Sequence, residues 1–338
     1  MLKICSDKIY QFFDSVNEKS KIYIPVDCDK GACFKPYKTG DKLTNQLNTT
    51  RSAKDFFFPQ VENIVDFKID GQNIEIIDNR SEVEDFAIFG VRPCDAKSFE
   101  ILDSVYLNEP VDSFYKNRRE HGVVITSACN NPEKTCFCKV FGVDASNPFG
   151  DIAVYQDENA FYFDVLTEKG ENFIKPFISL FEETDGKQVE TIKKDIKEKV
   201  DNLPLSNLKA KDFTKEQLET FNSAEWEELS KACLGCGTCT FVCPTCQCYD
   251  IREFNTGNGI KRFRCWDSCM YRDFTLMAHG TPRPTQLQRF RQRFMHKLVY
   301  YPMNNDGVYG CVGCGRCVKK CPISMNIVKV MKTLQEEK

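Results

Sequence analysis

The sequence predicts an α+β protein with an N-terminal α/β domain over residues 1–200 and a C-terminal helical domain over residues 201–338. Three observations predict this class. Short β-rich runs bounded by turn residues alternate with helical patterns up to residue 200. A charged, helical stretch follows. The remainder is rich in cysteine and arginine and has few strand signals, so we expect helices with cysteine loops between them.

Five runs in the N-terminal part have the composition of strands. They are rich in Val, Ile, Phe and Tyr and end at turn residues; they read KSKIYIPV, NIVDFKIDGQNIEIID, EDFAIFGV, HGVVITSA and DIAVYQDENAFYFDVL. Helical periodicity is present in AKSFEILDSVYL and DSFYKNRREH. The alternation of the two element types predicts the α/β class for this domain.

Helical patterns dominate the C-terminal part. The segments KQVETIKKDIKEKVDNL and TKEQLETFNSAEWEELSKA are the expected connection between the domains. The segment TPRPTQLQRFRQRFMHKLVYY predicts one helix from near Pro284 to just before Pro302, because proline is tolerated in a first turn and stops a helix later. The segment MNIVKVMKTLQEEK predicts a closing helix.

Composition and charge exclude several classes of protein. The net charge of −3 gives no general attraction to nucleic acid or to an anionic membrane surface. The longest apolar runs, such as residues 85–91, are too short to cross a bilayer. The N-terminus lacks the apolar region of a signal peptide. We therefore expect a cytoplasmic protein that neither spans a membrane nor binds nucleic acid.

The 19 cysteines point to metal chemistry. An odd number of cysteines without a secretion signal does not indicate a disulfide framework. Many of them are two or three residues apart, which is the spacing of metal ligands. A reducing cytosol, and an anaerobic source, are the expected setting.

Two cysteine motifs share one spacing. The segments CLGCGTCTFVCP and CVGCGRCVKKCP both read C-x2-C-x2-C-x3-C-P, the run of bacterial ferredoxins. The glycines between the cysteines let backbone N–H groups approach the sulfurs. In a two-cluster arrangement the fourth cysteine ligates the other cluster. We assign cluster one to Cys233, Cys236, Cys239 and Cys321, and cluster two to Cys311, Cys314, Cys317 and Cys243.

Zinc is the alternative occupant, because it also takes four cysteines. Zinc sites generally use C-x2-C pairs separated by longer loops, whereas each motif here gathers four cysteines in a short run that ends in proline. We therefore predict two [4Fe–4S] clusters. The wide separation of the motifs, with a segment predicted to be helical between them, favours an α-helical ferredoxin-type dicluster domain.

The other cysteines leave alternatives open. Cys94 and Cys129 each follow a predicted strand, and Cys136 and Cys138 lie close behind, so these four either form a third metal site or are buried free thiols. A second set could form a fourth site, although we favour packing against the clusters; it comprises Cys246, Cys248, Cys265 and Cys269. The remaining Cys5, Cys28 and Cys33 are expected to be ordinary thiols.

Several of these segments together resemble a known family. IFGVRPCDAKSFEILDSVYL, ACNNPEKTCFCKVFG, RSAKDFFFPQVENIV and the two cysteine motifs are similar to the iron–sulfur proteins related to the first subunit of anaerobic sulfite reductase and to the β subunit of cytosolic sulfhydrogenases. The resemblance extends from about residue 50 to the end. It implies an N-terminal α/β domain with a third [4Fe–4S] cluster, held by Cys94, Cys129, Cys136 and Cys138, and a C-terminal dicluster domain.

The resemblance also implies a function. Such proteins relay electrons between a flavin-bearing, NAD(P)H-oxidising subunit and a catalytic redox subunit of hydrogenase, heterodisulfide-reductase-like or sulfite reductase type. We therefore expect a non-catalytic electron-transfer subunit of a hetero-oligomeric oxidoreductase complex. No G-x-G-x-x-G of dinucleotide type follows a strand, so nicotinamide and flavin chemistry is expected from a partner.

Two alternatives belong to other functional classes. A self-sufficient iron–sulfur reductase would have its own substrate site near Cys246, Cys248, Cys265 and Cys269. A cysteine-rich nucleic-acid module would use RPTQLQRFRQRFMHK, which interleaves arginine with phenylalanine. We favour a helix that packs its phenylalanines against the clusters and turns its arginines to solvent or to a docking subunit. Further candidates for docking or charge compensation are Arg264, Arg272 and Arg283.

Overall fold

The computed structural model describes residues 1–46, 48–210 and 212–336. The strands are β1 (Leu2–Cys5), β2 (Lys21–Cys28), β3 (Gly31–Pro36), β4 (Val61–Asp70), β5 (Asn73–Asp78), β6 (Phe86–Val91), β7 (Gly122–Ser127), β8 (Ile152–Gln156), β9 (Ala160–Val165), β10 (Glu182–Glu183), β11 (Tyr249–Asn255) and β12 (Gly259–Trp266). The α-helices are α1 (Ile9–Asn17), α2 (Pro93–Tyr106), α3 (Ser113–His121), α4 (Glu168–Ile174), α5 (Lys187–Asp201), α6 (Gln217–Asn222), α7 (Glu225–Lys231), α8 (Thr238–Phe241), α9 (Gln286–Met295), α10 (Tyr301–Asn304), α11 (Arg316–Lys320) and α12 (Ile327–Glu336).

The chain divides into two compact units, each assembled from separate segments. The first unit comprises Met1–Phe57, Val83–Leu208 and Val312–Cys314. The second comprises Phe58–Glu82, Lys209–Cys311 and Gly315–Lys338. The domain boundary predicted between residues 200 and 201 stays a prediction. Within the described residues, no helix is long and apolar enough to cross a membrane.

The first unit is built on a mixed sheet, which within the described residues has eight strands in the order β10-β1-β9-β8-β7-β6-β2-β3. The four strands β2, β6, β7 and β8 run parallel, and the flanking strands pair antiparallel. Every residue of β6 is buried, as expected for a parallel strand covered on both faces. The α/β class predicted for the N-terminal part is confirmed.

Helix α1 closes one face of this sheet. Its buried residues Ile9, Phe12, Phe13 and Val16 recur at the three- and four-residue spacing of one helix face. The Phe12 ring packs edge-on against Phe163 of β9, with 5.6 Å between ring centroids. Burial of such a side chain stabilises the fold by roughly 1.5–3 kcal/mol.

A disulfide joins Cys28 and Cys33 at the β2–β3 turn. The prediction of ordinary thiols was therefore wrong for these two residues. The antiparallel register pairs Cys28 with Gly31 and Cys33 with Val26. It leaves the two Cα atoms 6.1 Å apart, which lies within the range that a disulfide spans. Cys5 is a free thiol.

The second unit combines helices α6–α12 with an antiparallel sheet in the order β11-β12-β4-β5. The expectation of few strands after residue 233 was wrong for β11 and β12. Their apolar residues are interspersed with Arg, Lys, Asp and Glu without regular alternation, so the period-2 pattern of a strand is absent. Gly257, with φ of +87°, supplies the left-handed residue of the connecting turn.

A buried ion pair ties β12 to β4 in this sheet. Arg264 donates from Nε to Glu62 Oε2 at 2.7 Å, and each side chain is 4% exposed. The guanidinium also lies over the Phe58 ring, 5.2 Å from its centroid. Of the two roles predicted for Arg264, docking or charge compensation, docking is contradicted by this burial, and the charge that Arg264 compensates is that of Glu62.

The helix predicted between Pro284 and Pro302 begins where expected but does not end there. Thr285 caps its start in a capping box with Gln288, one residue after Pro284, as predicted. The predicted stop before Pro302 was wrong, because a π-helical turn over His296–Tyr300 leads on into α10. Pro302 lies in the first turn of α10, where its ring is tolerated.

Helix α12 confirms the predicted closing helix. Residues 337 and 338 of that predicted segment lie outside the described residues. In the core of the second unit, Trp226 of α7 packs against Phe290 of α9 with 6.3 Å between ring centroids. Its Nε1 donates to Thr220 O at 2.6 Å.

Candidate metal centres

The first cysteine motif folds as a loop that leads into a short helix. Gly235 and Gly237 have φ of +65° and +71°, in the left-handed region that glycine enters at little cost. Gly237 is the N-cap of α8, which carries Cys239 in its first turn. A Cβ at Gly237 would lie 2.6 Å from Tyr271 Oη. The turn therefore requires glycine at this position.

Hydrogen-bond donors surround Cys233. Gly235 N donates to Cys233 Sγ at 3.5 Å, and Gln286 Nε2 donates to the same sulfur at 3.4 Å. Such donors stabilise negative charge on sulfur. Side-chain and backbone hydrogen bonds with Thr238 lower the pKa of Cys236, which favours the thiolate form that binds metals.

The second motif repeats this geometry. Gly315, with φ of +75°, is the N-cap of α11. Helix α11 carries Cys317 in its first turn, as α8 carries Cys239. Helices α8 and α11 pack against each other in the second unit. The repeat in the sequence is therefore also a repeat in the structure, and its two helices are neighbours.

Several thiols of the second unit lie close together. Cys239 is in electrostatic contact with Cys233, Cys243 and Cys269, and burial raises the pKa of Cys239. Cys243 is hydrogen-bonded to Cys246, and this bond lowers the pKa of Cys243. The last cysteine of the first motif thus lies among other thiols rather than against solvent.

Cys243 and Cys321, the last cysteines of the two motifs, have different surroundings. The charges of Cys243 and Cys311 both act on the ammonium group of Lys297, so the last cysteine of one motif and the first cysteine of the other lie near the same cation. Cys321 Sγ lies 3.4 Å from Met325 O. The crossed assignment of Cys243 and Cys321 stays a prediction.

Two buried cations lie among these thiols. Arg293 and Lys297 are 2% and 6% exposed. Arg293 donates from Nη2 to Cys239 O at 3.1 Å. Lys297 donates from Nζ to Thr245 Oγ1 and to Gly310 O, both at 2.8 Å. The prediction that the arginines of this helix face solvent or a docking subunit was therefore wrong for Arg293.

These cations fit an anionic group held by the surrounding thiolates. Burial alone would lower the pKa of Lys297, but the attraction of Cys243, Cys246 and Cys311 outweighs it and raises the pKa. Nε and Nη1 of Arg293 have no hydrogen-bond partner among the described residues. Because a buried cation is costly unless it is paired, the donor set matches a thiolate-ligated iron–sulfur cluster.

The sequence carried a signal for this pair that we did not use. Phe290, Arg293, Phe294 and Lys297 follow the i, i+3, i+4, i+7 spacing of a single helix face. Phe290 and Phe294 are buried. Two cations on an otherwise apolar stripe indicate buried negative charge nearby.

The first unit brings together the four cysteines predicted as a possible third metal site. Cys94 lies in the first turn of α2, just after β6, and Cys129 follows β7. Because β6 and β7 are adjacent and parallel, their carboxyl ends open at the same edge of the sheet. Cys136 and Cys138 reach the same cavity from the next loop. All four sulfur-bearing residues predicted for this unit line that cavity.

Two further residues lie at this cavity and were not predicted there. Asn48 donates from Nδ2 to Cys136 Sγ at 3.5 Å and to Cys314 O at 3.0 Å. Cys314, which we assigned to cluster two, also lines the cavity. Its loop is held by Phe137 N, which donates to Gly313 O at 2.9 Å. A Cβ at Gly313 would lie 2.4 Å from Phe137 O.

Burial sets the proton affinity of these thiols. It raises the pKa of Cys138 to about 12 and also raises the pKa of Cys129 and Cys136. Arg92 acts in the opposite direction on Cys129. Without a metal these thiols are neutral, and a bound metal centre displaces their protons.

Nowhere in residues 1–46, 48–210 and 212–336 do three ligand side chains converge as they would around a single metal ion.

The four remaining cysteines of the second unit separate into neighbours and an outlier. Cys248 and Cys269 are hydrogen-bonded to each other, which lowers the pKa of Cys248 and raises that of Cys269. Cys246 is in electrostatic contact with Cys248. The neighbours of Cys265 are charged side chains instead, namely Arg252, Asp250 and Asp267.

Comparison with known proteins agrees with this geometry. Residues 232–325 match the family model described as a 4Fe-4S dicluster domain. Over 342 aligned residues the chain is 31% identical to the sulfhydrogenase 2 subunit beta of Pyrococcus furiosus, an alignment that covers 99% of this chain and 98% of the relative. The chain belongs to the sulfhydrogenase β-subunit family. No solved structure matches it.

The two cysteine motifs lie within the matched dicluster domain of this sulfhydrogenase β family member. The dicluster match includes both C-x2-C-x2-C-x3-C runs, so the C-terminal region holds two [4Fe–4S] clusters. The predicted fold class, an α+β chain with a C-terminal dicluster domain, is confirmed. The relation to sulfhydrogenase β also confirms the resemblance inferred from the sequence segments.

Proposed function

We propose that this protein is an iron–sulfur electron-transfer subunit of a hetero-oligomeric redox complex. The observation that supports this most directly is the pair of matched thiol loops beside the buried cations Arg293 and Lys297. Thiols held by N–H donors and buried positive charge stabilise a cluster whose charge changes by one electron. Such a site transfers electrons without making or breaking a substrate bond.

The ligand assignment is part of the proposal. Cluster one takes Cys233, Cys236, Cys239 and Cys321, and cluster two takes Cys311, Cys314, Cys317 and Cys243. A third [4Fe–4S] cluster in the first unit takes Cys94, Cys129, Cys136 and Cys138. Their shared cavity and the Asn48 amide, which donates to Cys136 Sγ, support the third cluster.

The clusters supply one-electron transfer, and the chain supplies their environment. Arg293 and Lys297 place positive charge beside the thiols of the dicluster domain. Gln286 and Asn48 donate hydrogen bonds to sulfur in the second and first unit, respectively. Each of these interactions favours the more negative, reduced form of its cluster and so raises its potential.

The proposed partners follow from the relative. A sulfhydrogenase 2 subunit named beta implies other subunits in that complex. We propose that this chain relays electrons between a flavin- and NAD(P)H-binding subunit and a catalytic redox subunit. The favoured catalytic partner is a hydrogenase, ahead of the sulfite reductase and heterodisulfide-reductase-like alternatives. The proposed setting is the cytoplasm.

Metal analysis and mutagenesis test the proposal. The anaerobically purified chain should contain about twelve iron and twelve acid-labile sulfide atoms, for three clusters. Cys236→Ser should remove or convert one cluster, seen as the loss of one component of the reduced EPR spectrum, and should stop electron throughput in the assembled complex. Cys265→Ser is the matched control and should change neither.

Two results would contradict this function. A colourless protein without acid-labile sulfide would rule out the clusters altogether. In the assembled complex, Cys236→Ser should leave the catalytic partner's own dye-linked activity intact. If that activity were also lost, the chain would have a role beyond electron relay.

A further inference from the structure

Cys248 and Cys269 meet at the open end of the β11–β12 hairpin. The register pairs Tyr249 with Trp266, and Asp267 N donates to Cys248 O at 2.9 Å. Cys248 thus precedes β11 directly, and Cys269 lies three residues beyond the end of β12. The chain turns back after Asp267, and the two thiols are hydrogen-bonded to each other.

The turn that carries Cys269 is fixed in place. Ser268 is fully buried, and its Oγ accepts hydrogen bonds from Thr240 Oγ1 at 2.8 Å and from Met270 N at 3.1 Å. Thr240 belongs to α8, the helix that carries Cys239. The position of Cys269 is therefore tied to the ligand loop of the first motif.

The pair lies beside the cluster-binding thiols and is not one of their assigned ligands. Cys269 is in electrostatic contact with Cys239. The charges of Arg293 and Lys297 also act on Cys269. Cys248 and Cys269 are free of disulfides and half-buried. The eight cysteines of the two motifs already supply a complete ligand set for two clusters.

We propose that Cys248 and Cys269 form a redox-active dithiol that passes two electrons from the dicluster domain to a small organic disulfide. The two thiols are hydrogen-bonded to each other, and disulfide formation requires such proximity. The pair also has an adjacent one-electron source and partial exposure to solvent. This site would add thiol–disulfide chemistry to a chain whose proposed function is electron relay, and it rests on that function only for the source of electrons.

The reaction balances in two halves. One thiolate of the pair attacks the disulfide R–S–S–R, forms a mixed disulfide and releases the first RSH after protonation. The second thiol then displaces the second RSH and closes the Cys248–Cys269 disulfide. Two protons and two electrons, which the bound clusters would supply one at a time, would reopen it. The net change is reduction of R–S–S–R to two RSH.

Thiol trapping on the full anaerobic protein tests the redox couple. The protein is equilibrated with varied ratios of reduced and oxidised dithiothreitol, alkylated with iodoacetamide and digested for mass spectrometry. The wild type should show a Cys248–Cys269 disulfide at oxidising ratios and two alkylated thiols at reducing ratios. Cys248→Ser should leave Cys269 alkylated at every ratio, and Cys269→Ser should do the same for Cys248. Cys265→Ser, in the same hairpin, should behave as the wild type.

Turnover supplies the second readout. With reduced methyl viologen and hydroxyethyl disulfide, the wild type and Cys265→Ser should oxidise the dye. Cys248→Ser and Cys269→Ser should lose this activity while keeping the EPR signals of both C-terminal clusters. Retained signals show that a loss of turnover is not a loss of folding.

Distinct outcomes overturn this proposal and the proposed function. If Cys248 and Cys269 stay free at every ratio, there is no dithiol couple. If Cys248→Ser lowers the iron and sulfide content by one cluster, the pair ligates metal and the proposal is wrong. Absence of cluster EPR signals from the wild type would overturn electron relay instead. Thiol trapping would still show whether the Cys248–Cys269 disulfide forms.

Discussion

Arg293 donates from Nη2 to the backbone oxygen of Cys239 at 3.1 Å, from a side chain that is 2% exposed. Its other nitrogens, Nε and Nη1, have no partner within the described part of the chain. Cys239, Cys317, Cys246 and Cys243 contribute the negative charge around it. The guanidinium is thus placed to act on the clusters through its charge.

Replacement of Arg293 should shift a cluster potential. Arg293→Gln removes a buried positive charge, so the reduced form loses stabilisation and the potential of the adjacent cluster should fall by on the order of tens of millivolts. Arg293→Lys should recover part of this shift. The measurement is a redox titration followed by EPR.

Arg291 provides the matched control for this change. It lies on the same helix but stacks on Phe221, with 3.6 Å from Cζ to the ring centroid. Arg291→Gln should leave the potentials nearly unchanged. Equal shifts in the Arg291 and Arg293 variants would contradict a specific role for Arg293.

Asn48 should raise the potential of the proposed third cluster, as Arg293 does for its own cluster. Asn48→Ala removes the N–H donor to Cys136 Sγ and should lower the potential of the cluster in the first unit. Asn48→Asp replaces the donor by an anion, so its shift should be larger. Gln46→Ala is the control, because Gln46 bonds Asp27 at the surface. If the wild type and the three variants had the same potential, Asn48 would not act on this cluster.

Gly313 should be far less tolerant of alanine than Gly142. Both have positive φ, +62° and +72°, so each alanine carries a backbone cost of roughly 1–2 kcal/mol. A Cβ at Gly142 meets open space, whereas one at Gly313 would lie 2.4 Å from Phe137 O. Gly313→Ala should therefore lower the free energy of unfolding further and reduce iron retention, as measured by urea denaturation and metal analysis. Equal losses in the two variants would show that the contact with Phe137 is unimportant.

The pair Glu62–Arg264 should be costly to break and cheap to replace. Glu62→Gln leaves the Arg264 charge buried without its counter-ion, and the expected loss of stability is about 3–5 kcal/mol. The double change Glu62→Leu with Arg264→Leu should recover much of that loss. Urea denaturation of the single variants Glu62→Leu and Arg264→Leu and of the double variant closes the cycle. Additive losses would mean that the two side chains are not coupled.

His296 should make stability depend on mildly acidic pH. Burial and the neighbouring Lys297 lower the pKa of His296 from 6.5 to about 4. Between these values the unfolded chain binds a proton that the folded chain does not, so stability falls as the pH drops through this window. At about pH 5.5 the contribution is roughly 1 kcal/mol.

The test of this pH effect compares two histidines. Urea denaturation at about pH 7 and about pH 5.5 should show a smaller loss of stability for His296→Gln than for the wild type. His279→Gln, at an exposed position, should keep the full pH dependence. If His296→Gln and the wild type lose the same stability, His296 is not the titrating group.

Local patterns in the sequence predicted most of the elements. The strands β6 and β7, the helix α2, the start of α9 and the glycine-containing cysteine loops all depend on neighbouring residues, and they were predicted at nearly their observed positions. The hairpin β11–β12 was missed because charged residues interrupt the apolar/polar alternation in both of its strands. Gly257, at its turn, was the available signal.

Contacts between distant residues were the part that could not be predicted. The ion pair between Glu62 and Arg264 spans 202 positions, and the hydrogen bond from Asn48 to Cys136 spans 88. Neither contact has a local signature, since the residues next to Asn48 or Arg264 do not distinguish a side chain with a distant partner from one exposed to solvent. The burial of Arg293 likewise depends on thiols from other segments of the chain.

The place of Gly313 in the first unit has a consequence for biosynthesis. The segment Val312–Cys314 belongs to that unit, and Gly313 O accepts the hydrogen bond from Phe137 N. During translation the pocket around Cys136 stays incomplete until residues 312–314 have left the ribosome. The proposed third cluster can therefore be enclosed by its full set of neighbours only after those residues have been synthesised.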